Sequence, residues 1–167
     1  GFNTTDLTAF SETGKMLTIL LMLTGGSPGS TAGGMKTTTI AVLAVSAFSV
    51  FSRKENAQVF KRRISDNTVK NAATIFLMYI VLFVGGGMII SRIENIPLLT
   101  CLFETASAIG TVGLTLGITT QIGIISRFIL ISLMFFGRVG GLTLVFAATK
   151  ALVSNENKYP QEKITVG

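Results

Sequence analysis

The sequence predicts an all-α membrane protein, and three observations lead to that fold class. Apolar residues make up 49% of the 167 residues and charged residues only 13%, about half the charged share of an ordinary soluble domain. The mean hydropathy is +0.64. The segment Asn71–Ser91 contains no charged residue, and its length is close to the ~20 residues that cross a ~30 Å hydrocarbon core as a helix.

The composition also excludes several classes of protein. The sequence has no His and one Cys, Cys101, so a catalytic histidine, a Cys/His zinc cluster and an internal disulfide are excluded. The net charge of +6 lies mainly between Arg53 and Lys70, which is typical of a cytoplasmic membrane loop and not of nucleic-acid binding. Because the chain opens at Gly1 with no initiator Met or signal-like segment, we expect a C-terminal fragment of a longer protein.

The first hydrophobic run, Met16–Phe51, is too long for one membrane span. As a straight helix, its roughly 36 residues would cover about 54 Å, nearly twice the thickness of the hydrocarbon core. We therefore expect a flexible polar loop to break it. The loop consists of Gly25, Gly26, Ser27, Pro28, Gly29, Ser30, Thr31, Ala32, Gly33 and Gly34.

A basic linker follows this run and predicts the orientation of the chain. Between Arg53 and Lys70 there are six Lys or Arg residues against Glu55 and Asp66. The positive-inside tendency places such a segment in the cytoplasm. The span Asn71–Ser91 then runs outward from the linker.

The second half of the chain has the order span, short helix, glycine turn, span. Pro97 is a favourable first residue for a helix, and Leu98–Ser107 offers only about 15 Å of helix, half a bilayer. This helix must enter from outside and return through the turn Ser107–Thr115. Phe128–Thr149 is a second span of about 22 residues, with Arg138 near its midpoint. Three plain helices would also fit the composition, but the short middle element favours a pore unit.

The turn Ser107–Thr115 has the residue types of an ion filter. Glycine allows the backbone angles that aim successive C=O groups at one axis, where they can replace the water around a cation. Thr111-Val112-Gly113 matches the start of the potassium-channel filter Thr-Val-Gly-Tyr-Gly, whereas Leu114-Thr115 departs from it. Gly1-Phe2-Asn3-Thr4 stands in the corresponding position before Met16–Phe51. We therefore expect K⁺ to bind at a filter, with no other metal site and no cofactor.

We favour a movable constriction beneath the filter as the role of Gly25–Gly34. Ten residues exceed what a passive glycine kink requires, and the Ser and Thr hydroxyls can satisfy backbone groups in a water-filled vestibule. The kink is one alternative. A phosphate-binding loop is disfavoured, because Met35 intrudes between Gly34 and Lys36 and the flanking segments are typical of membrane helices.

Two charged residues lie within hydrophobic segments. Arg138 would cost about 2.5–3.5 kcal/mol at mid-membrane, so we expect it to face a cavity, a carbonyl cluster or an acidic partner, with snorkelling to one surface as the alternative. It could slow the flow of ions or anchor the glycine loop. Glu104, on the short helix, either supports the filter or attracts cations at the outer mouth. Gly137 with Gly141 predicts a packing face, and Gly85–Gly87 a close helix contact.

Together these residues resemble the Trk/Ktr/HKT superfamily of potassium transporters, and most closely its KtrB-type membrane subunits. Gly1-Phe2-Asn3-Thr4 is similar to a third-repeat filter. Gly25–Gly34 with Met35-Lys36-Thr37 is similar to the intramembrane gating loop, and Gly110-Thr111-Val112-Gly113-Leu114 to the fourth-repeat filter. The resemblance covers the chain up to about Ser154.

The resemblance implies four M1–P–M2 pore repeats around one pore, each with a re-entrant half-helix and a filter. Residues 1–51 would be the end of the third repeat, with its filter remnant and a broken M2 helix, and residues 52–70 a cytoplasmic basic linker. Residues 71–153 would be the fourth repeat and residues 154–167 a cytoplasmic tail. Lys36 and Arg138 are implied to act with the gating loop. The implied filter residues are Gly1, Phe2, Gly110, Thr111, Val112 and Gly113.

The resemblance also implies where the protein works and with what partners. It implies a multi-pass protein of the cell membrane that contacts the lipid bilayer and turns its filter outward. A homodimer would sit on a cytoplasmic ring of RCK-type nucleotide-binding subunits. Nucleotide would bind those partners and not this chain.

Three functions compete on the sequence, and none of them is an enzyme activity. The first is potassium uptake through a gated pore. The second is a secondary transporter that binds its substrate at the broken helix Gly25–Gly34. Such a transporter does not need a half-helix followed by Thr111-Val112-Gly113. The third is a structural membrane subunit, for which deletion of Gly25–Gly34 would change no flux.

Overall fold

The computed structural model describes residues 1–53, 57–59 and 62–139. Within these ranges the chain is mainly helical, which confirms the predicted helical class. The helices are α1 (Glu12–Leu23), α2 (Thr37–Phe51), α3 (Asp66–Glu94), α4 (Leu98–Gly110) and α5 (Ile124–Val139), and a 3-10 turn covers Leu7–Ala9. The linker before α3 contains a small antiparallel hairpin of β1 (Gln58–Val59) and β2 (Arg62–Arg63).

Helices α1 and α2 lie on either side of Gly25–Gly34, which we call the glycine segment. Within the described residues, no helix lies between them. The Gly25 N–H donates to the Met35 carbonyl at 2.6 Å and the Met35 N–H donates to the Leu23 carbonyl at 3.2 Å, so a short parallel bridge joins the two ends of the segment. A helix precedes the segment where a phosphate-binding loop would follow a strand.

Serine caps start α1 and α3 ahead of the hydrophobic segments predicted from hydropathy. The Ser11 hydroxyl accepts from the Gly14 N–H at 3.2 Å, and the Ser65 hydroxyl accepts from the Thr68 N–H at 3.3 Å. Such caps satisfy N–H groups that a first helical turn leaves without partners. The polar first turns therefore extend both helices beyond their apolar portions.

Helix α3 is long and apolar enough to cross a membrane, judged by length and composition. Its most apolar 18-residue window has a mean hydropathy of 2.3. It is the one helix among the described residues that meets this test, and α2 and α4 are shorter apolar helices. Asn95, with a left-handed φ of 54°, ends α3.

Helix α4 lies at the centre of the fold and packs against α1, α3 and α5. Every residue from Phe103 to Gly110 is buried, so this short helix is covered on all sides along its second half. It ends at Gly110, three residues beyond the predicted Ser107, because Thr111 turns the chain with a left-handed φ of 51°. A short apolar helix is thus enclosed by protein along its second half.

Glycines on α3 make part of this close packing possible. A Cβ at Gly87 would lie 2.6 Å from a methyl carbon of Leu102 on α4, and a Cβ at Gly86 would lie 2.9 Å from a methyl carbon of Leu133 on α5. The predicted close helix contact is confirmed at these two positions. At Gly85 a Cβ would meet nothing within 4 Å, so that glycine faces open space.

Helix α5 is described from Ile124, which is earlier than the predicted start at Phe128, to Val139. The rest of the span predicted to reach Thr149 lies outside the described residues. The same holds for Gly141, the partner of Gly137 in the predicted packing face, and for the predicted tail at residues 154–167.

Candidate functional site

The turn Gly110–Thr115, which we call the filter turn, follows α4 directly. The N–H groups of Thr111 and Val112 donate to carbonyls of the last turn of α4 at 3.1 and 2.9 Å. Thr111 has a φ of 51° and Gly113 a φ of 86°, a region that favours glycine and is uncommon for other residues. Gly110 is the last helical residue and is buried, whereas Thr111 and Gly113 are exposed. The backbone leaves the helix here with irregular angles, as the glycine content predicted.

The first residue of the chain lies against the filter turn. A Cβ at Gly1 would lie 3.1 Å from the Val112 carbonyl oxygen, and a Cβ at Gly113 would lie 3.6 Å from Gly1 Cα. Phe2 is fully exposed. Two segments more than 100 residues apart in the sequence, both with the residue types of a filter, are therefore neighbours in space.

A short turn that contains Asp6 follows the Gly1–Phe2 segment. Asp6 accepts from the Thr8 hydroxyl at 2.7 Å and from the Thr8 N–H at 2.9 Å. These two hydrogen bonds, that of the hydroxyl first, hold the pKa of the Asp6 carboxyl below its usual value. The Asp6 side chain thereby caps the 3-10 turn that leads towards α1.

The carboxylate of Glu104 supports the far side of the filter turn. Glu104 projects from α4 and is only 5% exposed. Its Oε1 accepts from the Thr115 hydroxyl at 2.5 Å and from the Leu116 N–H at 3.0 Å, and its Oε2 accepts from the Thr119 hydroxyl at 2.9 Å. A buried carboxylate is thus satisfied by three neutral donors, one at the end of the turn and two just after it.

The glycine segment contacts the filter turn from the other side. The Gly33 N–H donates to the Thr111 hydroxyl at 2.9 Å, and a Cβ at Gly33 would lie 2.8 Å from the Ile109 carbonyl oxygen. The neighbouring Gly34 has a φ of 76° and its N–H donates to the Gly137 carbonyl at 3.3 Å. Only residues without a side chain leave room for this approach.

Two cations bind successive carbonyls of the glycine segment. The Lys36 ammonium donates to the carbonyls of Ser30 and Ala32 at 3.2 and 2.8 Å. The Arg138 guanidinium donates to the carbonyl between them, that of Thr31. Arg138 therefore meets a carbonyl cluster, one of the environments that the sequence predicted for it.

The remaining residues of the glycine segment divide into a buried part and an exposed part. Gly33 and Gly34 are buried, and the stretch from Ser27 to Thr31 is exposed. The exposed stretch contains the turn in which the Ser30 N–H donates to the Ser27 carbonyl at 2.9 Å. Pro28 and Gly29 lie within that turn.

Helix α5 meets the end of α4 at Gly137, where a Cβ would overlap the Ile109 carbonyl. The buried hydroxyl of Tyr79 on α3 donates at 3.5 Å to the Gly137 carbonyl, which also accepts from the Gly34 N–H. Sequence reasoning missed Tyr79, because one tyrosine within an apolar span carries no signal of its own. It also missed Thr115 and Thr119 as partners of Glu104, since hydroxyl positions in a loop reveal no such pairing.

Comparison with known proteins gives a consistent set of relatives. Residues 1–159 match the family TrkH, described as cation transport protein. Along its whole length the chain is 41% identical to the potassium/sodium uptake protein NtpJ of Enterococcus hirae, of which it covers 38%. It is 35% identical to the Ktr system potassium uptake protein B of Bacillus subtilis and 32% identical to that of Vibrio alginolyticus, covering 37% and 36% of them. The chain thus spans little more than a third of the length of these relatives.

Proposed function

Because this chain belongs to the TrkH family of cation transport proteins, which are transporters and not enzymes, we propose that it is part of a potassium uptake protein of the cell membrane. The names of its relatives support potassium as the transported ion. The ion passes a filter of backbone carbonyls and then a constriction formed by the glycine segment. The observation that carries this proposal is that Gly1, the filter turn and the glycine segment meet at one end of α4.

The filter part of the proposal is supported by backbone geometry. Thr111 and Gly113 have positive φ angles, and Gly1 lies against Val112 and Gly113. Carbonyls of the filter turn and of the Gly1–Phe2 segment bind K⁺ as two quadrants of the filter, in place of its hydration shell. The remaining quadrants come from parts of the full-length protein outside this chain.

The gating part is supported by the contacts of the glycine segment. The segment interrupts the helical run between α1 and α2, and we propose that these helices are the two halves of a broken M2 helix. Lys36 and Arg138 bind its carbonyls, and the Thr111 hydroxyl accepts from Gly33. Release of these bonds would let the segment move and clear the pathway.

The arrangement of repeats and the orientation follow from the same proposal. Residues 1–51 end the third pore repeat, and residues 71–153 form the fourth, with α3 as M1, α4 as the pore helix and α5 as the described part of M2. The basic linker, residues 52–70, and the tail from residue 154 face the cytoplasm, so that the filter faces outward.

We extend the proposal to the partners implied by the resemblance. The full-length protein forms a homodimer and binds a cytoplasmic ring of RCK-type nucleotide-binding subunits. The basic linker lies on the side where such a ring would dock. Copurification of the full-length protein with a nucleotide-binding subunit tests this part separately from transport.

A substrate carrier with its site at the broken helix is the alternative. The contacts of the glycine segment argue against it, because the carbonyls of Ser30, Thr31 and Ala32 are already bound by Lys36 and Arg138. Those carbonyls are the groups that a carrier would use to bind a cation or substrate.

The experiment measures potassium uptake by the full-length protein in a strain that lacks its own potassium transporters. Gly113→Ser places a side chain at a φ of 86° in the filter turn, and Gly85→Ser on α3, where a Cβ would meet nothing within 4 Å, is the control. We expect Gly113→Ser to reduce discrimination between K⁺ and Na⁺ about tenfold, because left-handed strain distorts the carbonyls, and Gly85→Ser to leave it unchanged. Absence of uptake by the unmodified protein, despite its insertion in the membrane, would refute the function. Equal selectivity of the two variants would refute the filter.

A further inference from the structure

We propose that Glu104 is a positioning residue that sets the ion selectivity of the filter turn, through its three hydrogen bonds and its buried negative charge. The inference rests on the proposed function, because it concerns the same pathway. It assigns a role to a side chain that does not itself contact the transported ion.

The position of Glu104 suits such a role. It stands on α4, whose residues from Phe103 to Gly110 are all buried, so its side chain starts from the most enclosed element of the fold. Its carboxylate reaches the Thr115 hydroxyl, the Leu116 N–H and the Thr119 hydroxyl. One side chain thus connects the helix before the filter turn to the chain that leaves it.

The contacts continue beyond the carboxylate. The Thr115 hydroxyl, which donates to Glu104, also accepts from the Gly117 N–H at 2.9 Å. Gly113 and Gly117 have φ angles of 86° and 90°, which leave the backbone between them without helical or strand hydrogen bonding. The carboxylate and Thr115 supply partners that regular structure would otherwise provide.

Hydrogen bonds supplement packing in this part of the chain. Leu114 and Leu116 pack against the hydrophobic core. A cavity of about 450 Å³ lies between the filter turn and α5, and Glu104, Thr115, Thr119, Leu130 and Met134 contribute to its lining. The hydrogen bonds to Glu104 connect the turn to α4 beside this cavity.

The charge of Glu104 has an effect of its own. Within the described part of the chain, no Lys or Arg forms an ion pair with it, and its hydrogen-bond donors are two hydroxyls and a backbone N–H. Screening by water is weak at a buried site, so the negative charge is felt over several ångströms. It favours a dehydrated cation at the neighbouring carbonyls.

Glu94 is a matched control within the same molecule. It is the last residue of α3 and, like Glu104, accepts from a backbone N–H, that of Gly123 at 2.9 Å, and from a hydroxyl, that of Ser126 at 2.5 Å. Its bonds join the end of α3 to the start of α5 and do not reach the filter turn. Glu94→Gln therefore removes the same chemistry where only structural support is at stake.

The test compares Glu104→Gln, Glu94→Gln and the unmodified full-length protein in proteoliposomes, with K⁺ uptake measured against competing Na⁺. Glutamine keeps the shape of the side chain and removes its charge. We expect Glu104→Gln to raise the KM for K⁺ about tenfold and to lower the discrimination against Na⁺ to a similar degree. Glu94→Gln is expected to change thermal stability while leaving both transport parameters as they are.

Each outcome decides for or against the role of Glu104. If Glu104→Gln transports with unchanged KM and selectivity, or if Glu94→Gln shifts both equally, Glu104 is a structural residue only. If Glu104→Gln does not reach the membrane, Thr119→Val decides, because it removes one donor to the carboxylate and retains the shape. Unchanged selectivity of Thr119→Val would then overturn the proposal, and reduced selectivity would support it. Absence of K⁺ transport by the unmodified protein would contradict the proposed function itself.

Discussion

The filter turn and the glycine segment are both irregular stretches of backbone that meet at the end of α4, but side chains of opposite charge bind them. A carboxylate binds the first and two cations bind the second. The filter turn continues into residues bound by the carboxylate of Glu104, which is 5% exposed. The glycine segment has a backbone bridge at its ends, and the cations Lys36 and Arg138 bind its carbonyls. The side chain that binds the filter turn projects from a buried helix. The side chains that bind the glycine segment are long and less buried.

This difference indicates which stretch is fixed and which can move. The side chain of Glu104 is short and α4 is enclosed by protein. Release of its hydrogen bonds would therefore leave a buried charge without partners, which costs free energy. Within the described residues Lys36 is partly buried and Arg138 is exposed, so neither side chain is enclosed by packing as Glu104 is.

The largest effect is expected at Gly137, the neighbour that both stretches share. Its carbonyl accepts from Gly34 in the glycine segment, and its Cα faces the Ile109 carbonyl just before the filter turn. Gly137→Ala places a Cβ where it would overlap that carbonyl. We expect a loss of about 1–3 kcal/mol of stability by overpacking, seen as a lower thermal midpoint of the purified full-length protein.

Gly85→Ala is the control for this prediction. A Cβ at Gly85 meets nothing within 4 Å, and alanine favours the helix by about 1 kcal/mol over glycine. Its thermal midpoint should equal or exceed that of the unmodified protein. Equal destabilisation by the two substitutions would show that α5 does not press on the end of α4.

Many features of the filter turn and the glycine segment could be predicted from the sequence, because they depend on the positions of glycine and on the lengths of the apolar runs. The excessive length of Met16–Phe51 predicted an interruption, and the described helices end and restart around Gly25–Gly34. The shortness of the segment after Pro97 predicted a short helix, and α4 is that helix. These features follow from length and local conformational freedom, which are properties of the sequence alone.

The partners of the charged residues could not be predicted in the same way. Sequence reasoning left Glu104 between two roles, since the hydroxyls of Thr115 and Thr119 come close only after the filter turn has folded back. The contact of Gly33 with Thr111 joins residues 78 positions apart. The ends of helices also moved, because serine caps and the left-handed Thr111 set them and hydropathy does not.

The next effect in size concerns the one hydrogen bond that joins the two stretches directly. Thr111→Val keeps the branched shape and removes the hydroxyl that accepts from the buried Gly33 N–H. Leaving this donor without a partner costs about 1–3 kcal/mol, so we expect amide exchange in residues 25–36 to become about tenfold faster. Thr74→Val, which removes a hydroxyl bond to the Lys70 carbonyl on the exposed side of α3, is the control. Unchanged exchange in Thr111→Val would mean that the stretches are held independently.

The smallest effect is expected from removing one cation of the glycine segment. Lys36→Met deletes the donor to the Ser30 and Ala32 carbonyls, while Arg138 still binds the Thr31 carbonyl. We expect the rate of K⁺ uptake to rise about threefold, because the closed arrangement loses the bonds of Lys36 and keeps that of Arg138. Lys70→Met on α3 should leave the rate unchanged. The double substitution of Lys36 and Arg138 should raise uptake by more than the product of the single effects, because each cation compensates for loss of the other on neighbouring carbonyls. A simple product would mean that the two cations act on separate movements, and a decrease in uptake would mean that they hold the pathway open.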